Sequence, residues 1–158
     1  MRALEIFKAK KQALGVRSVF NAGASKAEIK AFEAKIGARL HEIFKEFYAL
    51  NDGGFFADDS WSETEIKENA NGVKWNSNHF LSLSEILQAH ADDGAFTSDA
   101  MPAMQTSGQE LLAMRFDGGE ILDAFHELPP QYWSELYSSF EALLLAYAEN
   151  EGALNTIA

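Results

Sequence analysis

The segment from residue 25 to residue 56, SKAEIKAFEAKIGARLHEIFKEFYALNDGGFF, limits the possible folds more than any other part of the sequence. Ser25 and Glu28 have the spacing of a capping box, in which each side chain satisfies a backbone N–H at a helix start. Large apolar residues then recur at helical spacing up to Gly37, a residue type that often ends helices. The pattern predicts an amphipathic helix over residues 25–37.

A second apolar stripe follows directly and predicts a helix over residues 40–50. The sequence Asn51-Asp52-Gly53-Gly54 then provides residues that tolerate positive φ, which favours a turn leading into an aromatic strand. Neither helix nor the turn supplies a nucleophile, a metal-ligand set or a phosphate-binding loop, so we interpret the whole segment as scaffold. The apolar members of the second stripe are Leu40, Ile43, Phe44, Phe47 and Tyr48.

The rest of the chain predicts further short elements within one domain that spans residues 1–158. Residues 1–24 are expected to form an N-terminal extension, with a helix over residues 2–14 and a loop over residues 15–24. Asn71-Gly72 is a hairpin signal, and it predicts that a strand over residues 62–67 pairs with one over residues 73–76.

A strand over residues 80–83 is expected next, followed by a helix that begins at a second capping box, Ser82 and Glu85, and closes at Asp92-Asp93-Gly94. Compact turns then separate three strands of a meander, one face of which is expected to be buried. These strands are predicted over residues 101–106, 110–116 and 120–126.

A final apolar stripe runs at helical spacing from Trp133 to Tyr147 and predicts a helix over residues 138–149. The expected fold class is therefore α+β, with a single hydrophobic core. Its predicted members are Phe32, Ile36, Phe44, Phe47, Phe80, Phe116 and Phe140.

Composition excludes several kinds of chemistry. The sequence contains no cysteine, which removes disulfides, thiolate metal sites and cysteine nucleophiles. The first twenty residues hold no apolar stretch of signal-peptide length, and the longest apolar run, residues 142–148, is far shorter than a membrane span. We therefore expect a cytoplasmic protein with no membrane partner.

Charge is distributed unevenly along the chain. Residues 1–50 carry ten Lys/Arg and five Asp/Glu, a balance of +5, whereas residues 51–158 carry three and nineteen, a balance of −16; together they give the net charge of −11. Nucleic-acid affinity comes chiefly from Lys and Arg on phosphates, so no nucleic-acid partner is expected. The acidic balance has two readings: it serves solubility alone, or it attracts a basic protein partner.

The order of these elements resembles the SUKH superfamily, which includes fungal Smi/Knr-type regulators of cell-wall glucan synthesis and bacterial immunity proteins. The resemblance covers roughly residues 25–147. It rests on Leu40-x-Glu42-x-Phe44-Lys45-x-Phe47-Tyr48 followed by Asn51-x-Gly53-Gly54, then on FLSLSEI and SSFEALLLAY; His41 stands where the family usually has proline. The resemblance implies a mixed or antiparallel sheet flanked by helices, with loops on one side that bind a partner.

No catalytic or metal-binding constellation is apparent. His41-Glu42 begins a sequence that would need a second histidine at position 45 for a zinc helix, but Lys45 is there. His79, His90 and His126 share no ligand spacing, and surface histidines are the simpler interpretation. A carboxylate cluster near residue 60 could bind a hard cation but lacks the glycine-centred calcium loop, which favours a solvated acidic loop. We predict a protein with no enzymatic activity, no metal and no cofactor.

Two functions remain open. One is an immunity protein that binds a cognate toxin domain, such as a nuclease, one-to-one; the other is a regulatory interaction module of the cell-wall type. The predicted binding surface combines residues 58–78, the end of the Ser82 helix and the meander turns. Its tryptophans are either interface anchors or a cross-strand pair on the predicted hairpin. The candidate residues are Asp58, Asp59, Trp61, Glu63, Glu65, Trp75, Asp92 and Asp93.

Overall fold

The computed structural model describes residues 2–92, 96, 99–125 and 127–154. Within these residues seven strands form one open sheet, whose spatial order follows the chain order and whose neighbours are all antiparallel. The strands are β1 (Ser18–Phe20), β2 (Gly54–Phe56), β3 (His79–Phe80), β4 (Ala100–Gln105), β5 (Leu111–Arg115), β6 (Ile121–Ala124) and β7 (Ser134–Tyr137).

Seven α-helices accompany the sheet in the described part of the chain, so the predicted α+β class is confirmed. Short 3₁₀ turns at Gly15–Arg17 and Pro130–Tyr132 precede β1 and β7. None of the described helices is both long enough and apolar enough to cross a bilayer. The helices are α1 (Ala3–Leu14), α2 (Lys26–Ile36), α3 (Glu42–Leu50), α4 (Glu63–Glu68), α5 (Ala70–Trp75), α6 (Leu83–Asp92) and α7 (Phe140–Glu149).

Local capping explains why the long helices begin where the sequence predicts. At the start of α2 the Ser25 hydroxyl accepts a hydrogen bond from the Glu28 N–H at 3.1 Å, and the Glu28 carboxylate accepts one from the Ser25 N–H at 3.0 Å. Ser82 and Glu85 form the same reciprocal pair before α6. Both predicted capping boxes are therefore confirmed, and so are the helices predicted over residues 25–37, 40–50 and 138–149.

The main core lies between one face of the sheet and five helices, α1, α2, α3, α6 and α7. Aromatic rings fill its centre: Phe44 stacks on Tyr48 with ring centroids 4.4 Å apart and meets Phe140 edge-on at 5.1 Å. Six of the seven predicted core residues are buried here. Phe116 is only half-buried because it follows the last residue of β5, where the chain already turns toward β6.

The predicted burial of one face of the meander is confirmed, and the opposite face is covered as well. Side chains alternate between the two faces of a strand, and on β5 both faces are covered. Leu112 and Met114 join the main core, whereas Ala113 joins a second cluster with Leu122 and Trp133. At β2 the opposite face is covered by α4 and α5, through Phe55, Ala57, Ile66 and Val73.

The predicted hairpin over residues 62–76 is also wrong, because this stretch forms α4 and α5. Ser62 and Glu65 make a third capping box, and the Asn69 side chain accepts a hydrogen bond from the Gly72 N–H at 3.2 Å. Asn71-Gly72 thus lies inside α5. A hairpin also needs alternating apolar residues on both sides of its turn, and this stretch lacks them.

Three further boundaries differ from the predictions. The predicted loop over residues 15–24 contains β1, which pairs with β2. The stripe from Trp133 is not helical at its start: residues 134–137 form β7, and the helix α7 begins only after Ser139, whose hydroxyl accepts a hydrogen bond from the Ala142 N–H at 3.0 Å. The strand predicted over residues 80–83 ends at Phe80, because Leu83 already begins α6. Gly94 and His126 lie outside the described residues.

We expect Phe44→Ala or Phe140→Ala to lower the free energy of unfolding by about 3–5 kcal/mol, because each removes a fully buried ring from a packed core. Leu50→Ala, in the same helix as Phe44 but 41% exposed, is the matched control and should cost less. Urea denaturation measures all three. A loss below about 1 kcal/mol at either phenylalanine would contradict this assignment of the core.

Candidate functional site

One end of the sheet brings together the β4–β5 turn and the last residue of α5. The Gln109 side chain in this turn donates a hydrogen bond to the Trp75 carbonyl at 2.9 Å. The Ser107 N–H donates to the Asn78 side-chain oxygen at 2.8 Å. These contacts fix the turn against the chain between α5 and β3, so one predicted meander turn does lie beside the span of residues 58–78.

The β5–β6 turn lies elsewhere. Consecutive turns of a meander fall at opposite ends of the shared strand, and this one contacts the loop before α3, where a His41 ring nitrogen and the Phe116 carbonyl are 2.9 Å apart. The structure therefore separates the two meander turns that the sequence analysis placed on one surface.

Asp58 and Asp59 line a cleft of about 280 Å³ beside the β4–β5 turn, and Ser107 and Glu151 lie on its other walls. The Asp58 carboxylate accepts a hydrogen bond from the Ser60 N–H at 2.8 Å, and this bond, with the Ser60 hydroxyl, lowers the pKa of Asp58. Both aspartates are exposed. They place two carboxyl groups in the lining of the cleft, which also includes Arg17.

Glu63 and Glu65 have local partners. Glu63 accepts a hydrogen bond from the Lys67 ammonium group at 2.7 Å, one helical turn along α4, and this contact lowers the pKa of Glu63. Glu65 is the acidic member of the capping box with Ser62. The two glutamates thus stabilise α4, and only Glu63 is free of a capping role.

The two candidate tryptophans have different environments. Trp61 is half-buried and packs against the small cluster around Phe55 and Ile66. Trp75 is 47% exposed, and its ring stands at 89° to the His79 ring with centroids 5.8 Å apart. The interpretation as a cross-strand pair is wrong, because neither residue lies in a strand. Trp75 is the better candidate for an interface anchor.

Asp92 lines a separate groove between α6 and the β4–β5 hairpin, with a volume of about 390 Å³. Both carboxylate oxygens accept from the Gln88 amide, at 2.9 and 2.8 Å. Gln109 lies in the wall of the same groove, so Trp75 and Asp92 flank a common element. Asp93 lies outside the described residues.

His79 is buried behind Trp75, 1% exposed, and its Nε2 atom has no hydrogen-bond partner among the described residues. Burial lowers its pKa below the ordinary 6.5, and the nearby Lys74 charge adds to the effect. The described residues include no group of three or more His, Asp or Glu side chains arranged to hold a metal ion. The arrangement offers an acidic cleft, an exposed aromatic ring and a groove, which are features of a binding surface.

Sequence reasoning did not single out Gln109 or Asn78, the two residues that connect the parts of this surface, although Asn78 ends the predicted span of residues 58–78. Gln109 has φ of 68°, a conformation that favours glycine. The pair Ser107-Gly108 predicted a turn, but nothing in the sequence indicated that the neighbouring Gln109 side chain would reach α5. Such contacts depend on which distant segments the fold brings together.

Comparison with known families gives one match over most of the chain. The family model described as SMI1 / KNR4 family (SUKH-1) matches residues 23–146. This range includes α2 through most of α7 and the whole surface around Trp75. No curated protein matches the chain.

We expect the free energy of unfolding to decrease as the pH falls through and below about 6.5. The folded-state pKa of His79 is lowered, so the unfolded chain binds this proton more readily, and acid therefore favours unfolding. Above about 6.5 the imidazole is neutral in both states and its contribution is constant. Denaturation of the parent and His79→Gln between pH 5 and 8 should show a smaller pH dependence in the variant.

An NMR titration of the imidazole protons checks the same cause directly. The His79 ring should titrate with a midpoint below 6.5, the ordinary value. A midpoint at or above that value would rule out the buried neutral imidazole as the source of the pH dependence.

Proposed function

The chain belongs to the SMI1 / KNR4 family (SUKH-1), and on this basis we propose that it is an immunity protein that binds a toxin domain one-to-one. The SUKH family is generally a family of non-catalytic binding domains whose members bind partner proteins. Family membership alone is equally compatible with a regulator of the SMI1 type. Charge is the observation that favours the immunity role.

The proposed partner is a basic domain, such as a nuclease. Nucleases must hold phosphates and therefore present Lys and Arg. Residues 51–158 of this chain carry a balance of −16, and Asp58 and Asp59 place two of these charges in a cleft that is also lined by the loop after Trp75. Binding there would occlude the positive surface that the toxin needs for its substrate.

Electrostatics and packing should act on different rates. Exposed charges at the rim of an interface mainly speed encounter, whereas a buried aromatic anchor mainly slows dissociation. The acidic cleft is therefore proposed to steer the toxin, and the Trp75 ring to hold it. In this scheme the chain performs no catalysis, so the purified protein should not hydrolyse nucleic acid, glycan or ester substrates.

A toxin gene adjacent to the gene for this chain would supply the partner for the tests below. A gene neighbourhood with no toxin gene, together with a cell-wall phenotype on deletion, would favour the alternative, a regulatory module that recruits proteins without inhibiting an enzyme.

We expect that neutralising Asp58, Asp59 and Glu63 together (to Asn, Asn and Gln) slows association with the neighbouring toxin domain and flattens its salt dependence. Glu65 is left intact in this variant because it caps α4; adding Glu65→Gln should slow association further but also destabilise the helix. Surface plasmon resonance at two salt concentrations measures both rates. Dissociation should change little.

The matched control removes three carboxylates that are not among the candidate binding residues, through Glu5→Gln, Glu135→Gln and Glu141→Gln. All three positions are exposed. If the control slows association as much as the first variant does, the effect is due to net charge alone. If the association rate depends neither on salt nor on either variant, the acidic cleft does not steer the toxin.

Replacing Trp75 with Ala should speed dissociation of the toxin domain and leave the association rate nearly unchanged. The ring is 47% exposed, so its loss should have little effect on folding. Trp61→Ala, in contrast, should lower the free energy of unfolding, because Trp61 packs against a buried cluster. Plasmon resonance and urea denaturation of both variants separate the two roles. Unchanged dissociation of Trp75→Ala would rule out the anchor.

A further inference from the structure

The groove between α6 and the β4–β5 hairpin has an apolar floor and a polar rim. Leu81, Ala89 and Leu111 line its floor, and Asp92 and Gln109 lie at its rim. Leu81 is buried, whereas the two rim residues are exposed. A long side chain with an aliphatic stem and a polar head has the same division along its length.

The charge at the rim is negative. The Asp92 carboxylate is bonded to the neutral Gln88 amide, and no ion pair among the described residues includes it. The second carboxylate of the groove, Glu85, is paired with the Lys74 ammonium group at 2.8 Å. Asp92 is therefore the carboxylate with its charge available to a ligand.

The wall of the groove is kept in an unfavourable backbone conformation. Gln109 has φ of 68°, and a residue other than glycine usually costs free energy in that region. Its side chain makes two contacts, one to the Trp75 carbonyl at 2.9 Å and one from the Gln105 amide at 3.2 Å. Glycine would relieve the backbone but would remove both contacts and the wall of the groove.

We propose that this groove receives a lysine or arginine side chain of the partner protein, and that Gln109 is a positioning residue that shapes it. The aliphatic stem would lie over Leu81 and Leu111, and the cationic head would reach Asp92, where a charge-assisted hydrogen bond forms. Trp75, whose carbonyl accepts a hydrogen bond from Gln109, would contact the partner next to that side chain. This inference rests on the proposed function and specifies how the basic partner is recognised.

The first test uses n-butylguanidinium, which carries the stem and head of arginine, as the probe. NMR titration of the isotope-labelled chain should show saturable shifts of the Ala89, Gln105 and Leu111 amides, with a dissociation constant on the order of millimolar. The neutral n-butanol should bind more weakly. Asp92→Asn should weaken the binding of n-butylguanidinium roughly tenfold, as expected for the loss of a charge-assisted hydrogen bond, and should not change the binding of n-butanol.

Linear shifts spread over the acidic surface, or equal binding to the Asp92→Asn variant, would overturn the proposal.

The second test uses Gln109→Gly and Gln109→Asn. Glycine and asparagine both tolerate the left-handed conformation. Neither reproduces the contact that the longer glutamine side chain makes with the Trp75 carbonyl. We expect an unfolding midpoint no lower than that of the parent, together with at least threefold weaker binding of n-butylguanidinium. A purely structural residue would not lose binding while stability is kept. Gln12→Ala, at an exposed position on α1, is the control for loss of a glutamine.

The toxin domain separates failure of this inference from failure of the proposed function. If the toxin domain binds the parent, and Asp92→Asn and Gln109→Gly bind it equally well, the groove is not the site of recognition although the immunity role stands. If the toxin domain does not bind at all, the proposed function fails, and the titration with n-butylguanidinium still decides whether the groove accepts a cationic side chain.

Discussion

The hydroxyl group of Tyr147 connects the helical layer to strand β2 and to the residue that precedes β3. It accepts a hydrogen bond from the Phe56 N–H at 2.8 Å and donates one to the Asn78 carbonyl at 2.8 Å, while its ring stacks on Phe56 and meets Phe80 edge-on. Burial raises the pKa of Tyr147 well above its ordinary value, so the hydroxyl keeps the proton that it donates. Without it, a buried N–H on β2 would lose its partner, which costs more than the hydrogen bond itself contributes.

Asn78 extends this connection from the core to the candidate site. Its side-chain amide donates to the Gly152 carbonyl at 2.9 Å, and its side-chain oxygen accepts from the Ser107 N–H at 2.8 Å. The β4–β5 turn is thus attached through one residue to the segment that follows α7. The same turn contains Gln109, which lines the groove and bonds to Trp75. The contacts of Asn78 therefore also hold the groove and Trp75 in place. A surface held in this way loses little conformational freedom when a partner binds.

The parts of the fold that the sequence predicted are those with strong local signals. Ser25 and Ser82 mark the starts of their helices through capping boxes, and the long apolar stripes indicate how the helices continue. The short helix α5 was missed because Asn71-Gly72 is a strong local signal for a hairpin, whereas six residues are too few to give a clear helical pattern. Strands β1 and β7 have three and four residues and pair through contacts that the local sequence does not encode. Likewise, charge indicated Asp58 and Asp92 as candidates, but only the tertiary structure brings Gln109 between Trp75 and Asp92.

The structure also changes how the acidic balance of −16 should be understood. Lys67 and Lys74 each neutralise a nearby glutamate, so those two pairs contribute little to the field beyond a few ångströms. The exposed Asp58, Asp59 and Asp92 form no ion pair among the described residues, and they line the cleft and the groove to which the β4–β5 turn contributes. A uniformly acidic surface would attract any basic molecule, nonspecific partners included. Specificity therefore has to come from the Trp75 ring and the shape of the groove, with charge deciding chiefly how fast a partner arrives.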